Sequence, residues 1–413
     1  MTVVAPPAAR PTESRLPGGL LPWVAGNLVV LALFLLDYRF FKNGLIHANV
    51  AWGRDFANVW TAGKAVLGGQ VGLLYDLKAY HHFQQSLFGP IGIHNYSYPP
   101  LTLPLMVPFG LLPYGVALAA WLISTGWLFV RAASPWWRER AGLPVLLVLL
   151  TPAALANVWA GHYGFLMGAL LLFGWHALER GRPYLAGLCF GLMAIKPHLA
   201  VLVPLILMLR GEWRALAMAA ITVAVLVAIS LLLFGMKPWH DFLTITLSFQ
   251  ASLINANGSF FRLMSTSTST ALLGLHCPRA ITNAIQLLVS ATGVVIVARV
   301  ARRAALADVA MLAATATFLV LPYAFNYDLT VSAMGAALLM RSGTQGPLER
   351  IGAIAGFMAA QLGMLLAALG LPLMPVLLIG LAFVQYRVAM RGAAVDPTAR
   401  RDGRAGEALA HSA

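Results

Sequence analysis

Arg182-Pro183-Tyr184-Leu185-Ala186-Gly187-Leu188-Cys189-Phe190-Gly191-Leu192-Met193-Ala194-Ile195-Lys196-Pro197-His198-Leu199-Ala200-Val201-Leu202-Val203-Pro204-Leu205-Ile206-Leu207-Met208-Leu209-Arg210 is an apolar run with a lysine near its middle and an arginine at each end. Arginines clustered at helix ends mark the cytoplasmic side of a membrane protein, so both ends of this run belong on one side. The chain must go out and return within it as two short helices, with Ile195-Lys196-Pro197-His198 at the tip. Each half extends about 18 Å at ~1.5 Å per residue, short of the ~30 Å of hydrocarbon in a bilayer. The tip therefore sits below the outer surface, in a polar cavity, because an ionised lysine facing lipid is costly.

Apolar runs recur on both sides of that pair, from residue 20 to residue 390. Hydrophobic residues are 60% of the 413, charged residues 10%, and the mean hydropathy is +0.78, more apolar than a soluble core of this length requires. The fold class is all-α, a polytopic membrane bundle of about twelve crossings with interfacial helices in the first outer loop. Residues 1–19 form a cytoplasmic segment with Arg10 and Arg15, 20–390 one transmembrane domain, and 391–413 a disordered cytoplasmic tail. The first crossing, 20–41, places Asp37 and Arg39 near its outer end. Later crossings fall at 114–131, turning inside at Arg131, Arg138 and Arg140, and at 142–158, 164–178, 213–236, 280–299, 305–321, 329–341, 351–369 and 372–390. The net charge of +14 reads as this topology signal, not as a nucleic-acid surface. Cys189 and Cys277 are too far apart in sequence and setting to indicate a disulfide framework or a thiolate metal site.

The first outer loop, Lys42 to Ser97, contains Trp52-Gly53-Arg54-Asp55 and two amphipathic helices, Phe56–Leu67 and Leu77–Leu87, separated by Gly68-Gly69 and Tyr75-Asp76. A second long outer loop, 237–279, holds Asp241, Asn255 to Gly258 and Arg262, and its Ser265 to Thr270 run reads as a helix entry. All five lysines and eight of the ten histidines fall outside, nineteen of the arginines inside. An outer face of this kind suits an anionic lipid phosphate. Long polar loops alone would give a similar count.

Moving a group from a lipid phosphate to a hydroxyl needs a base for the acceptor proton and fixed cations for the departing phosphate. Asp55, just past the first crossing, fits the base, and it equally fits an N-cap for the helix that follows. Lys196, His198, Arg54, Lys64 and Arg262 are the candidate phosphate ligands, with Lys196 first because its apolar setting otherwise needs a partner such as a helix C-terminus. His162, Asn157, Asp76, Tyr98, Asn326 and Asp328 are candidate substrate contacts. Against these stand a cap at Asp76, a fixed loop return at Tyr98-Pro99-Pro100 and a turn cap at Asp328.

In chain order, Asp55-Phe56, Gly68-Gly69, Leu74-Tyr75-Asp76, Tyr98-Pro99-Pro100-Leu101, Pro108-Phe109, Leu112-Pro113, Asn157 with Gly161-His162, Gly187 to Gly191 and Lys196-Pro197-His198 resemble glycosyltransferase family 87 of the GT-C superfamily, over about residues 50–330. The resemblance implies a polytopic enzyme that takes a hexose, commonly mannose, from a polyprenyl-phosphate carrier at the outer face of the cytoplasmic membrane. It implies inversion at the sugar carbon, Asp55 as base, a lipid or glycan acceptor, and membrane lipids as surroundings; no cofactor is expected, the lack of a dense Asp/Glu cluster argues against a metal, and the placement of the arginines argues against nucleic acid. The chain departs from the family where members often carry histidine after a proline in the late outer turn; here the turn reads Phe325-Asn326-Tyr327-Asp328. A lipid-linked glycan polymerase or ligase would share such a site. A transporter or flippase would show related halves and polar residues through both faces.

Overall fold

The computed structural model of the chain describes residues 50–249, 259–342 and 346–395, with isolated positions from 24 to 46. The N-terminal segment with Arg10 and Arg15, the positions Asp37, Arg39, Lys42 and His47, the stretch Asn255 to Gly258 and the tail beyond 395 lie outside the described residues. A two-residue antiparallel ladder, β1 (Leu45–Ile46) with β2 (Val50–Ala51), leads into the outer loop. Nearly all ordered structure after it is helix.

Helices α1 (Phe56–Leu67) and α2 (Leu77–Phe88) form where the amphipathic pattern predicts. Helix α1 is not an interfacial helix with one wet face, because every residue from Phe56 to Gly63 is buried. Small residues explain this: at Gly63 a Cβ would overlap the Met106 carbonyl and the Gly110 backbone of α3 (Leu103–Gly110), so the two helices meet backbone to backbone. Helix α4 (Tyr114–Ala141) runs on past Arg131, where a turn was expected, and stops at Gly142 in the left-handed conformation. The crossing expected at 142–158 is broken instead. It is a 3-10 stretch, Val145–Leu150, followed by α5 (Pro152–Ala160), whose N-terminus is capped by the Thr151 hydroxyl. Pro144 and Pro152 have no N–H for a preceding turn, which prevents one continuous helix. Helix α6 (Gly164–Glu179) follows.

The Arg182 to Arg210 run becomes α7 (Pro183–Leu192), two 3-10 turns flanking Lys196, and α8 (Val203–Arg210). Gly187 packs on Ala215 and Met218, and Gly191 on Ala219 and Thr222, of α9 (Trp213–Phe234). These contacts advance in the same direction on both helices, so α7 and α9 are parallel and α8 runs back between them. The out-and-return path is realised. Helix α10 (Lys237–Asp241) continues into a π-helical turn, and α11 (Ser259–Met264) precedes α12 (Thr268–Gly274), whose entry Ser267 caps at Thr270 N–H, 3.2 Å. The remaining helices are α13 (Arg279–Ala301), α14 (Leu306–Val320), α15 (Thr330–Ser342), α16 (Pro347–Ala368) and α17 (Met374–Val395). Among the described residues, α4, α9, α13, α16 and α17 are long and apolar enough to cross a membrane, and six other apolar segments are shorter.

Charge separates to two ends of the bundle. At one, Arg140 pairs with Asp308 at 2.6 Å, Arg210 donates to the Ala301 carbonyl at 3.0 Å, Arg341 to the Ala141 carbonyl at 3.1 Å, and Arg391 grips Glu349. The opposite end holds the breaks between helices described below. The parallel seam of α7 and α9 is a direct test of the packing: Gly191→Val is expected to overpack it by about 1–3 kcal/mol and lower the thermal midpoint in detergent. Gly115→Ala, which has open space around it, should not lower it. Fluorescence-detected size exclusion after heating reads both, and an unchanged midpoint for Gly191→Val would refute the contact.

Candidate active site

Four interruptions converge at the end away from the arginines: the turn before α1, the corner between α5 and α6, the Lys196 hinge, and the 3-10 turn Asn326–Asp328 before α15. The corner is set by Gly161, left-handed at φ 60°, where a Cβ would overlap the Gly53 carbonyl. Asp55 N–H donates to the Ala160 carbonyl at 3.0 Å, which ties the first turn to the corner. Asn157 Oδ1 accepts from Gly164 N–H at 2.8 Å and closes the corner, while Thr330 donates to the Gly164 carbonyl at 3.0 Å and ties it to α15. Gly53 and Arg54 are both left-handed, at φ 74° and 42°, a conformation that costs a non-glycine residue roughly 1–2 kcal/mol. The Tyr114 hydroxyl donates to the Trp52 carbonyl beside it, and the Arg54 guanidinium lies 3.9 Å from the centre of the Trp159 ring.

His162 sits at the centre of what these breaks assemble. Its Nε2 lies 2.9 Å from the Tyr98 hydroxyl and 3.7 Å from Asp55 Oδ2; its Nδ1 lies 3.4 Å from Lys196 Nζ and 3.7 Å from Asp328 Oδ1. Lys196 donates to Asp328 Oδ2 at 2.6 Å. The imidazole stacks on Tyr327 with ring centres 4.1 Å apart, and Trp121 donates to the His162 carbonyl at 3.3 Å. The His162, Lys196 and Asp328 side chains are 4%, 6% and 1% exposed, that of Asp55 30%. Asp55 is thus the carboxylate of the cluster that a ligand can reach.

Burial opposes the charge on Asp328, but Lys196, and after it His162, outweigh that and hold the carboxyl well below its usual range. Burial, reinforced by the Lys196 charge, pushes the His162 imidazole down against the pull of Asp328 and Asp55, so it is neutral near pH 7. His94, on the approach to Tyr98, is also pushed down, by burial first, and feels both Asp55 and Arg54.

Of the residues singled out in the sequence, Asp55, His162, Lys196, Asp328 and Tyr98 meet in this cluster, with Arg54 at its edge. Asp55 is the N-cap residue of α1, yet its side chain makes no capping hydrogen bond. Lys196 pairs with a carboxylate, not with a helix C-terminus. His198, two residues after it, is half-buried. Other candidates have structural duties: Asn157 closes the corner, Asp76 caps α2 through the Lys78 and Ala79 N–H groups, and Asn326 donates to the Ala360 carbonyl at 2.9 Å. Lys64 lies nine residues along α1 from Asp55, about 13 Å of helix rise, over the Trp60 ring. Arg262 is on α11, where its side chain passes Gly274. Trp159 was not picked out from the sequence. An aromatic in an outer turn reads equally as a membrane-interface anchor, and only the partners across the cluster distinguish the two.

Comparison with protein families matches the sequence model of glycosyltransferase family 87 to residues 96–322. The match takes in Tyr98, His162 and Lys196 and stops short of Asp55 on one side and Asp328 on the other, a narrower span than the motifs suggest. Comparison with curated proteins and with solved structures gives no match. More than half of the chain is covered by the family, in an order of motifs that the cluster brings together: the chain belongs to glycosyltransferase family 87.

Proposed function

We propose that this glycosyltransferase moves a hexose, mannose in the first instance, from a polyprenyl-phosphate carrier to a hydroxyl of a lipid or glycan acceptor, at the outer face of the cytoplasmic membrane, with Asp55 as general base. The observation that supports the reading is the state of the Asp55 carboxylate: partly exposed, uncapped, and set beside a buried polar cluster at one end of an apolar bundle. In this reading the acceptor oxygen attacks the sugar carbon on the face opposite the phosphate. Asp55 takes the hydroxyl proton, the carbon–oxygen bond to phosphate breaks, and the configuration inverts. The phosphate departs with its lipid.

Arg54, held over Trp159 next to the base, is the first candidate to neutralise the departing phosphate. Lys196 and His198 stand behind it, although the Lys196 charge is matched by Asp328 and contributes less than an unmatched lysine would. The reading includes about twelve crossings, with the arginine-bearing end cytoplasmic. The meeting of Asp55, His162, Lys196 and Asp328 at one end of the bundle favours transfer at a surface over a transport path, which needs polar side chains along its whole length.

Asp55→Asn is expected to reduce transfer from labelled polyprenyl-phosphate-mannose by about 10²–10⁴-fold in membranes carrying matched amounts of protein. Asp76→Asn, at a helix cap, should keep wild-type transfer, and full activity in Asp55→Asn would remove the base from this assignment. Arg54→Gln should raise KM for the donor about tenfold, and Arg54→Lys should recover only part of it because the ammonium lacks the guanidinium fork. A donor KM unmoved by either substitution would exclude Arg54 from the phosphate site.

A further inference from the structure

The direction of the hydrogen bonds at His162 is set from the hinge. The Lys196 ammonium can only donate, and it does so to Asp328 Oδ2 at 2.6 Å and to His162 Nδ1 at 3.4 Å. Nδ1 is therefore the bare nitrogen of the neutral imidazole, and the proton sits on Nε2. Within hydrogen-bond length Nε2 meets the Tyr98 hydroxyl, at 2.9 Å, whereas Asp55 Oδ2 at 3.7 Å is beyond it. Nε2–H thus donates to the Tyr98 oxygen. The phenol keeps its own proton, because burial pushes it above its usual range, and that proton has no second acceptor among the described residues. Nor is the side chain free to turn away. The Tyr75 hydroxyl donates to the Tyr98 carbonyl at 3.0 Å, and the Tyr98 ring packs on Tyr163 and Tyr96 with centres 4.7 Å and 5.5 Å apart. A buried O–H left without an acceptor is costly, so the unmatched proton of Tyr98 marks a place for a ligand oxygen.

We propose that Tyr98 holds the acceptor: its hydroxyl donates to the oxygen of the alcohol whose proton Asp55 removes. This rests on Asp55 being the base. The Tyr98 hydroxyl and the Asp55 carboxylate flank the same nitrogen of His162, so one oxygen seated between them meets both. The carboxylate decides which kind of oxygen that is. A phosphate oxygen would set a second negative charge beside Asp55, whereas an alcohol donates to Asp55 and accepts from Tyr98. The two contacts fix the attacking oxygen on the base's side of the sugar carbon, away from the departing phosphate. The alcohol proton passes to Asp55, the oxygen bonds to the sugar carbon, and the bond from that carbon to the phosphate oxygen breaks. The Tyr98 proton stays on Tyr98. Lys196 and His162 are positioning residues for it: were Nε2 bare, it would take the Tyr98 proton for itself, and the hydroxyl would have only a lone pair to offer the acceptor.

Tyr98→Phe keeps the ring and removes the hydroxyl. In membranes supplied with labelled polyprenyl-phosphate-mannose, at matched protein, it should lower the maximal transfer rate about three- to tenfold, the worth of one neutral hydrogen bond, and leave donor KM unchanged. A raised donor KM at an unchanged maximal rate would put the hydroxyl on the donor, and a wild-type rate would leave it without a ligand; either overturns the proposal. A second measurement stands even where Tyr98→Phe does not fold. In wild-type protein labelled with ¹⁵N-histidine, with His162 identified by the signals lost in His162→Gln, Nε2 should be protonated and Nδ1 unprotonated at neutral pH. A protonated Nδ1 overturns the proposal whatever the activity. In the charge-balanced pair Lys196→Met with Asp328→Leu nothing donates to Nδ1, and the same spectrum should show both tautomers; an unmixed Nε2–H there would remove the positioning role of Lys196. Loss of transfer in Asp55→Asn with a wild-type rate in Tyr98→Phe would defeat only this inference, whereas an active Asp55→Asn would defeat the reading beneath it.

Discussion

The buried Lys196–Asp328 ion pair ties the short-helix hinge to the late turn before α15. Lys196 stands at the hinge of a helix pair too short to cross a membrane, and Asp328 in a turn far along the chain. Either charge alone at that depth would be untenable, and removing one partner of such a pair costs about 3–5 kcal/mol. Together they form a fixed point on which His162 can be oriented. The hinge explains its own position as well: Pro197 cannot continue the preceding turn, so the chain breaks where the lysine needs to meet its partner.

Around that pair the molecule spends its close packing on bringing breaks together. Gly161 against Gly53, Gly164 against the Tyr327 carbonyl and Gly63 against Gly110 are all places where a side chain would push two segments apart. The glycines at 53 and 161 therefore act on the site without touching a substrate. They decide how far Asp55 lies from His162. The strained Gly53-Arg54 turn belongs to the same device, with the Tyr114 hydroxyl and the Trp159 ring set against it.

Much of this was legible in the sequence for a definite reason. A lysine in the middle of an apolar run, flanked by arginines, has few physical solutions, and the re-entrant pair is one of them. Helix ends marked by arginine clusters were placed to within a few residues for α6, α13 and α14. Where proline spacing competes with apolar length, as at 142–158, hydropathy alone reads a continuous helix that the backbone cannot make. Helix α1 was misjudged as interfacial because an amphipathic pattern does not register that alanine and glycine permit burial on every side. In the site, residue type pointed to Asp55, His162 and Lys196. The partner of Lys196 was not legible, since pairing over such a sequence separation leaves no local trace, and Asp76 and Asn326 had the same chemistry as true members of the cluster while serving a cap and a strut.

Helix α4 has a further consequence. Its 28 residues measure about 42 Å, against ~30 Å of bilayer hydrocarbon, so it must either lean or extend beyond the lipid tails. Both of its ends are clamped to other parts of the molecule, through the Tyr114 hydroxyl at the site and through Arg140 on Asp308 at the other pole. Leaning therefore carries the site and the arginine pole together, like the two ends of a strut. On the proposed placement of the site at a membrane surface, a thinner or thicker bilayer would change the height of Asp55 relative to the lipid headgroups and leave the distances within its cluster as they are.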